Sequence, residues 1–220
     1  MLKVSNLSKA FQIEGKSHQI LKSINLEVDA GIAVSILGKS GSGKSTLLSA
    51  LSGIINSDDG DIFYDDINFS SLSMEEKTKF RMNNIGFIFQ DFKLVTHLTV
   101  LENVLLPLEL KNISNREEIA RMTLEKVGLE GRVNAYPATL SGGEKQRVAM
   151  ARSMGMSAKL ILADEPNANL DIETGNFVID YLFKLKDELQ QTLLLVTHDE
   201  QLAKRCDRTY VLENGVLNLR

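Results

Sequence analysis

The stretch 38–46, which reads GKSGSGKST, constrains the fold of this chain more than any other part of it. It fits the phosphate-loop pattern G-x-x-x-x-G-K-[ST]. The apolar run 32–37 before it is typical of a buried strand, and residues 47–51 after it begin a helix. Glycines let backbone N–H groups curve around a phosphate, and the helix N-terminus adds donors and a positive dipole end. The alternative, an ordinary Gly/Ser-rich turn, is disfavoured by the flanking strand and helix.

Side chains in the phosphate loop (38–46) add chemistry that the backbone cannot supply. Lys44 is expected to neutralise the β- and γ-phosphates, Ser45 to hold Mg²⁺, and Thr46 to bond a phosphate nearer the sugar. The loop is therefore predicted to bind a nucleoside triphosphate with its metal ion. The residues expected to contact the nucleotide are Gly38, Ser40, Gly41, Ser42, Gly43, Lys44, Ser45 and Thr46.

A second apolar stretch ends in two acidic residues. Residues 160–163 read LILA, which is typical of a buried strand, and Asp164 and Glu165 follow. Ligands of α/β sheets bind at the carboxyl ends of strands. We expect Asp164 to bind Mg²⁺, directly or through water, and Glu165 to polarise the water that attacks the γ-phosphate. A strand that simply ends in two solvated acids is the alternative, disfavoured downstream of a complete phosphate loop.

The overall composition disfavours several classes of protein. The net charge of −4, from 25 basic and 29 acidic residues, is mild and mixed, so it disfavours a nucleic-acid partner. The single cysteine, Cys206, fits a reducing compartment and is interpreted as a structural thiol. We expect neither a signal peptide nor a membrane span, so that any span would come from another polypeptide.

Periodicity places strands and helices around the phosphate loop, and no internal repeat is found. The predicted strands are 2–7, 20–28, 32–37, 61–64, 85–89, 160–163, 192–196, 209–212 and 216–219, with a turn at 15–17 and a hairpin turn at 214–215. The predicted helices are the one after the loop, 73–82, 100–106 ended by Pro107, 115–127, one from Ser141, 171–188 and 200–205. These patterns predict one domain, 1–220, with a helical subdomain at about 91–151 inserted in a core of about 1–90 and 152–220.

The stretch 140–147, LSGGEKQR, is the most specific one in the chain. Ser141 and Glu144 have the spacing of a capping box at a helix start. A capping box alone does not explain Gly142 and Gly143, because glycine costs about 1 kcal/mol relative to alanine in a helix. We interpret the two glycines as a place where a large anion touches the backbone.

Together these motifs resemble the nucleotide-binding subunit of an ABC transporter, and the resemblance covers essentially the whole chain. Residues 38–46 match its Walker A motif, 160–165 its Walker B motif and 140–146 its signature sequence. The resemblance implies a P-loop NTPase (RecA-like) α/β core with an antiparallel β subdomain and an inserted helical subdomain. It also implies an ATPase that uses ATP and Mg²⁺.

The resemblance assigns roles to residues that carry little signal alone. Phe11 lies where the family stacks an aromatic ring on adenine, although such an aromatic residue is more often part of a core. Gln90 resembles the Q-loop glutamine, which contacts Mg²⁺ and the attacking water. His198 resembles the switch histidine that bonds the γ-phosphate, whereas His18 and His97 are interpreted as structural.

The family geometry implies a homodimer that sandwiches two ATP molecules. Each ATP lies between the Walker A motif of one copy and Ser141, Gly142 and Gly143 of the other. Asp171 resembles the D-loop aspartate that crosses this interface, and it is also a helix N-cap candidate. ATP closes the dimer and hydrolysis reopens it, a population shift driven by γ-phosphate contacts.

Within the family, 87–90, 98–104, 163–166 and 196–203 most resemble the bacterial group that includes LolD, MacB, YbbA and FtsE. This implies a peripheral subunit on the cytoplasmic side of the inner membrane, bound to a separately encoded permease and through it to periplasmic adaptors. The expected function is lipoprotein release or related extrusion of hydrophobic cargo. The alternative is an FtsE-like regulatory ATPase of cell division. One departure is PNANLD at 166–171, where the group usually has PTGNLD.

Overall fold

The computed structural model describes residues 1–155 and 158–220. Within them the chain forms two units, Met1–Arg81 with Thr192–Arg220, and Met82–Gln191. The strands are β1 (Leu2–Ile13), β2 (Lys16–Val28), β3 (Ala33–Leu37), β4 (Asp59–Tyr64), β5 (Ile67–Asn68), β6 (Ile85–Ile88), β7 (Leu160–Asp164), β8 (Thr192–Thr197), β9 (Arg208–Glu213) and β10 (Val216–Leu219). The helices are α1 (Lys44–Leu51), α2 (Met74–Asn84), α3 (Val100–Leu110), α4 (Arg116–Lys126), α5 (Gly142–Met154), α6 (Ile172–Glu188) and α7 (Glu200–Ala203).

An antiparallel sheet in the first unit has the strand order β2-β1-β4-β5. β1 pairs with β2 on one side and with β4 on the other. Along β2, Ile24, Leu26 and Val28 are buried and the residues between them are exposed. This alternation is what a sheet with one solvated face requires. The predicted antiparallel β subdomain is present.

Parallel strands in the same unit carry the phosphate loop. β3 pairs in parallel with β8 and with β9, and every residue of β3 and β8 is buried. Strands buried on both faces read as continuous apolar runs. The predicted hairpin after β9 is confirmed, because Asn214 and Gly215 have φ of 51° and 81° and β10 returns antiparallel to β9.

The second unit joins a strand pair to a group of helices. β6 pairs in parallel with β7, and α5 packs on β6. Helix α5 also contacts α3, α4 and α6. The side chains of Val148, Ala149, Met150 and Ala151 are buried along it, so α5 is the central helix of this unit.

Two local predictions were wrong. The helix from Val100 does not end before Pro107 but runs to Leu110, with Pro107 inside it. A proline inside a helix costs about 3 kcal/mol. The buried side chains of Val104 and Leu108 lie on either side of it and offset that cost. The turn expected at 15–17 lies at 14–15, where both residues have positive φ, and β2 already begins at Lys16.

None of the helices in the described ranges is long and apolar enough to cross a membrane.

Candidate functional site

The phosphate loop runs from the end of β3 to the start of α1, as predicted. Gly41 and Gly43 have φ of 78° and 101°, in the left-handed region that favours glycine. A Cβ at Gly43 would lie 2.9 Å from Cγ2 of Ile20, and a Cβ at Gly38 would lie 2.8 Å from the carbonyl oxygen of Leu212. Glycine is therefore required both for the curvature of the loop and for its packing.

The N-terminus of α1 is left open to an anion. Gly43 is its N-cap and provides no side-chain cap, and within the described α1 the first turn contains no acidic residue. A helix N-terminus has N–H groups without intrahelical partners and a positive dipole end. The backbone here thus offers donors to a phosphate group.

Lys44 lies across the loop. Its side chain is 5% exposed, and Nζ donates to the carbonyl oxygens of Gly38 at 2.8 Å and Lys39 at 3.1 Å. Oγ of Ser42 is buried and has no hydrogen-bond partner in the described part of the chain. The cation and this hydroxyl add to the loop the donors that a phosphate group accepts.

Clefts of about 490 Å³ and 350 Å³ open beside the loop in the first unit. The larger lies between Ser40, Gly41 and Ser42 on one side and β2 and the β9–β10 hairpin on the other. The smaller brings His198 into one cleft with Gly38 and Lys39. Phe11 lies on β1 opposite His18, which is next to Gln19 of the larger cleft.

The paired acids are in the second unit. Asp164 is the last residue of β7, and Glu165 follows it with φ of 44°. A left-handed conformation is uncommon for a residue with a Cβ. The backbone turns here, and the N–H of Ala168 donates to the carbonyl of Glu165 at 2.9 Å.

The stretch 140–147 begins α5 with a complete capping box. Ser141 Oγ accepts from the N–H of Glu144 at 3.2 Å, and Glu144 accepts from the N–H of Ser141 at 2.8 Å. Hydrogen bonds to its carboxylate lower the pKa of Glu144, with the backbone N–H of Ser141 as the largest cause and the Ser141 hydroxyl and Arg132 as further ones. The N-terminus of α5 thus carries its own acceptors.

The two glycines of this stretch have a packing role that the sequence did not reveal. A Cβ at Gly143 would lie 2.3 Å from Cγ2 of Thr174, and a Cβ at Gly142 would lie 3.1 Å from Cδ2 of Leu170. Gln146 is buried, and its Nε2 donates to the carbonyl of Pro166 at 2.7 Å. The start of α5 is therefore held against the segment between β7 and α6.

The remaining expected residues lie in the same unit. Asp171 caps α6, accepting from the N–H of Thr174 at 3.0 Å, so its expected capping role is confirmed. The N–H and hydroxyl of Thr174 lower the pKa of Asp171. Gln90 is exposed and follows β6 in the turn that begins at Phe89.

Two further features were missed by sequence reasoning. The left-handed φ of Glu165 carries no composition signal, because glutamate is not a residue that favours this region. The hydrogen bond from Gln146 to Pro166 joins residues 20 positions apart, which periodicity cannot indicate.

Comparisons with known proteins agree with this geometry. A family model described as ABC transporter matches residues 21–168. The ATP-binding protein LolD of the lipoprotein-releasing system of Buchnera aphidicola is 39% identical over 98% of this chain and 95% of its own length. The uncharacterized ABC transporter ATP-binding protein YbbA of Escherichia coli K12 is 41% identical over 99% of this chain and 96% of its own length.

A solved structure resembles the whole chain. It is a dimeric, post-hydrolysis state of the ATP-binding cassette MJ0796 bound to ADP and Pi. Its TM-score is 0.93 at 37% identity, with 100% of this chain and 98% of that chain covered.

The chain belongs to the ABC transporter family, and it is an ATP-binding and ATP-hydrolysing subunit of a transporter. Its fold is that of the ABC cassette, a P-loop NTPase fold of mixed α/β type with an antiparallel sheet and a helical part. Within the family, the relatives named LolD and YbbA match the group that the sequence indicated.

Proposed function

We propose that this chain powers the release of lipoproteins, or the extrusion of related hydrophobic cargo, through a separate membrane permease. The similarity to LolD of Buchnera aphidicola, which extends over 98% of the chain, carries this proposal. A full-length match at this level spans every motif of the site, including the segments by which the group was recognised.

ATP binds at the phosphate loop in this proposal. The backbone N–H groups of the loop and the N-terminus of α1 hold the phosphates, supported by the open N-terminus of that helix. Lys44 turns from the carbonyls of Gly38 and Lys39 to the β- and γ-phosphates, and Thr46 bonds a phosphate nearer the sugar. Phe11, which is 37% exposed, stacks on the adenine ring.

The metal ligands proposed are Ser45, Gln90 and Asp164. Each of the three side chains carries an oxygen atom of the hard kind that Mg²⁺ takes in proteins, and Ser45 and Gln90 are exposed. Bound Mg²⁺ supplies positive charge that offsets the charge of the β- and γ-phosphate oxygens.

Hydrolysis requires groups that hold and orient water. Glu165 polarises the attacking water as general base, from its position directly after the last residue of β7. Gln90 contacts the same water, and His198 bonds the γ-phosphate from the cleft that it shares with Gly38. Each of these roles places a polar group where charge develops in the reaction.

Two copies are proposed to close on two ATP molecules, as the dimeric state of MJ0796 supports. Ser141, Gly142 and Gly143 of each copy contact the nucleotide held by the other copy's phosphate loop, and Asp171 lies at the interface. The subunit then sits on the cytoplasmic side of the bacterial inner membrane, bound to the permease and through it to periplasmic adaptor proteins.

A pull-down with the Glu165→Gln variant tests the proposal. The tagged variant, with Mg-ATP, is used to recover proteins from detergent-solubilised host membranes, and the bound proteins are identified by mass spectrometry. A tagged Lys44→Ala variant is the matched control for nucleotide-dependent binding. Recovery of a permease with a large periplasmic domain is expected. Recovery of division proteins indicates an FtsE-like role instead, and recovery of no integral membrane protein contradicts a transporter subunit.

A further inference from the structure

The turn that presents Gln90 is held in an unusual backbone conformation. The N–H of Phe92 donates to the carbonyl of Phe89 at 3.1 Å, so Gln90 lies inside a turn that we call the Gln90 turn, 89–93. Phe92 and Lys93 both have positive φ, 61° and 48°. A bulky residue such as Phe92 is rare in the left-handed region. Each of these residues costs about 1–2 kcal/mol there, so neighbouring contacts must hold the turn.

Arg152, in the last turn of α5, makes those contacts. Its Nη1 donates to the carbonyl of Lys93 at 2.7 Å, and its Nη2 donates to the carbonyl of Phe92 at 2.9 Å. The planar fork of a guanidinium suits two acceptors at fixed positions, which an ammonium group cannot match. Burial lowers the pKa of Arg152. The two carbonyls compensate this desolvated cation.

The next residue ties the same end of α5 to the strand before the turn. Ser153 Oγ donates to the carbonyl of Phe87 at 2.6 Å. A Cβ at Gly86 would lie 2.7 Å from the carbonyl oxygen of Ser153, so the strand and helix backbones approach closely. The ion pair of Lys93 with Asp91 is exposed and contributes little. Arg152 and Ser153 therefore fix both ends of the segment that carries Gln90.

We propose that Arg152 is a positioning residue for Gln90, holding the left-handed turn at Phe92 and Lys93 so that the Gln90 amide stays in place for hydrolysis. The proposal rests on the proposed role of Gln90. Helix α5 has 13 residues, with the capping box of Ser141 and Glu144 at its N-terminus and Arg152 in its last turn, so this one helix connects the signature stretch to the Gln90 turn.

The test compares Arg152→Met, Arg152→Lys, Gln90→Ala and the control Arg121→Met in steady-state ATP hydrolysis by the full chain. Arg121 also donates two bonds, to Glu117, but on the exposed face of α4. Arg152→Met is expected to lower kcat about tenfold, with KM for ATP changed by less than about twofold, because misplacement of a catalytic group lowers the rate and leaves the phosphate loop intact. Arg152→Lys keeps the charge and is expected to recover only part of kcat.

A second variant separates positioning from folding. Lys93→Asn combined with Arg152→Met places in the turn a residue that tolerates the left-handed region. The kcat of the double variant is expected to be about threefold higher than that of Arg152→Met, because the effects of substitutions at residues in contact are coupled. If Arg152→Met hydrolyses ATP like the parent, or loses activity only in proportion to its unfolded fraction by circular dichroism, the proposal is overturned. If Gln90→Ala is fully active while Arg152→Met is not, Arg152 does not act through Gln90. Loss of activity in Gln90→Ala alone supports the role of Gln90 and contradicts that of Arg152.

Discussion

The N-termini of α1 and α5 are both glycine-rich, yet they are built in opposite ways. At α1 the N-cap is Gly43, with no side-chain cap, and within described α1 no acidic residue lies in the first turn. At α5 the N-cap is Ser141, which forms a capping box with Glu144. An open helix N-terminus attracts an anion. At a capped N-terminus, by contrast, some backbone N–H groups already donate to side chains of the same segment.

The glycines of the two ends differ in purpose as well. Gly43 has φ of 101°, so the loop needs its conformational freedom. Gly143 is an ordinary helical residue that leaves room for Thr174, whose Cγ2 would lie 2.3 Å from a Cβ at that position. The N-terminus of α1 is therefore arranged to bind a phosphate, whereas the N-terminus of α5 is mainly a close packing contact with the start of α6.

The largest expected effect concerns the open N-terminus of α1. Lys44→Ala is expected to weaken ATP binding about a hundredfold, because it removes the charge-assisted bonds of one cation to the phosphates. Titration calorimetry or fluorescent-nucleotide displacement measures the affinity. The control Lys204→Ala removes an exposed lysine of the same unit and is expected to change affinity by less than about twofold. Equal ATP affinities of the two variants would show that Lys44 does not contribute to nucleotide binding.

The close packing between the N-terminus of α5 and the start of α6 predicts the next largest effect. Gly143→Ala is expected to lower the free energy of unfolding by about 1–2 kcal/mol, since the clash with Thr174 outweighs the better helix propensity of alanine. Adding Thr174→Ala removes Cγ2 and is expected to restore stability. The control is Gly131→Ala, where a Cβ meets no atom within 4 Å. Denaturant unfolding measures all three. If the double variant is stable but hydrolyses ATP slowly, Gly143 also takes part in binding the nucleotide.

The cap of α5 predicts a smaller change. Ser141→Ala is expected to lower the free energy of unfolding by about 1 kcal/mol, because the N–H of Glu144 loses its acceptor. Thermal unfolding followed by circular dichroism measures it. A variant as stable as the parent would mean that water replaces the cap at no cost.

The smallest effect is a pH dependence. The Ser141 N–H holds the pKa of Glu144 below its ordinary value of 4.5 in the folded chain. The charged carboxylate therefore stabilises the fold above pH 4.5, and this contribution is lost as the pH falls through the lowered pKa. Glu144→Gln is expected to cost about 0.5 kcal/mol at pH 7 and less at pH 3. Unfolding curves at both pH values test the sign, and a cost that grows on acidification contradicts it.

Motifs and periodicity predicted much of the fold and of the site from the sequence. The glycine and lysine pattern of the loop, the capping box at Ser141 and the cap at Asp171 are local in the chain, so the sequence indicates them directly. The helix through Pro107 was not predicted, because burial on both sides of the proline overrides its local preference.

The part of the site that could not be predicted depends on contacts between residues that are distant in the chain. The bond from Arg152 to the carbonyl of Phe92 spans 60 positions, and the left-handed backbone at Phe92 follows from tertiary contacts and not from residue type. Likewise, the sequence gives no sign that Thr174 lies over Gly143. Periodicity indicates which residues are buried, but it cannot identify the partner that each one meets.

Hydrolysis and binding by Glu165→Gln test the central claim, that this chain hydrolyses ATP by means of the acid at the end of β7. Phosphate release and ATP affinity are measured for this variant and for Glu188→Gln, an exposed control on α6. The account predicts that Glu165→Gln binds ATP as the parent does and hydrolyses it at least about a hundredfold more slowly, because a general base contributes that much. Hydrolysis by Glu165→Gln at the rate of Glu188→Gln and the parent would contradict the account.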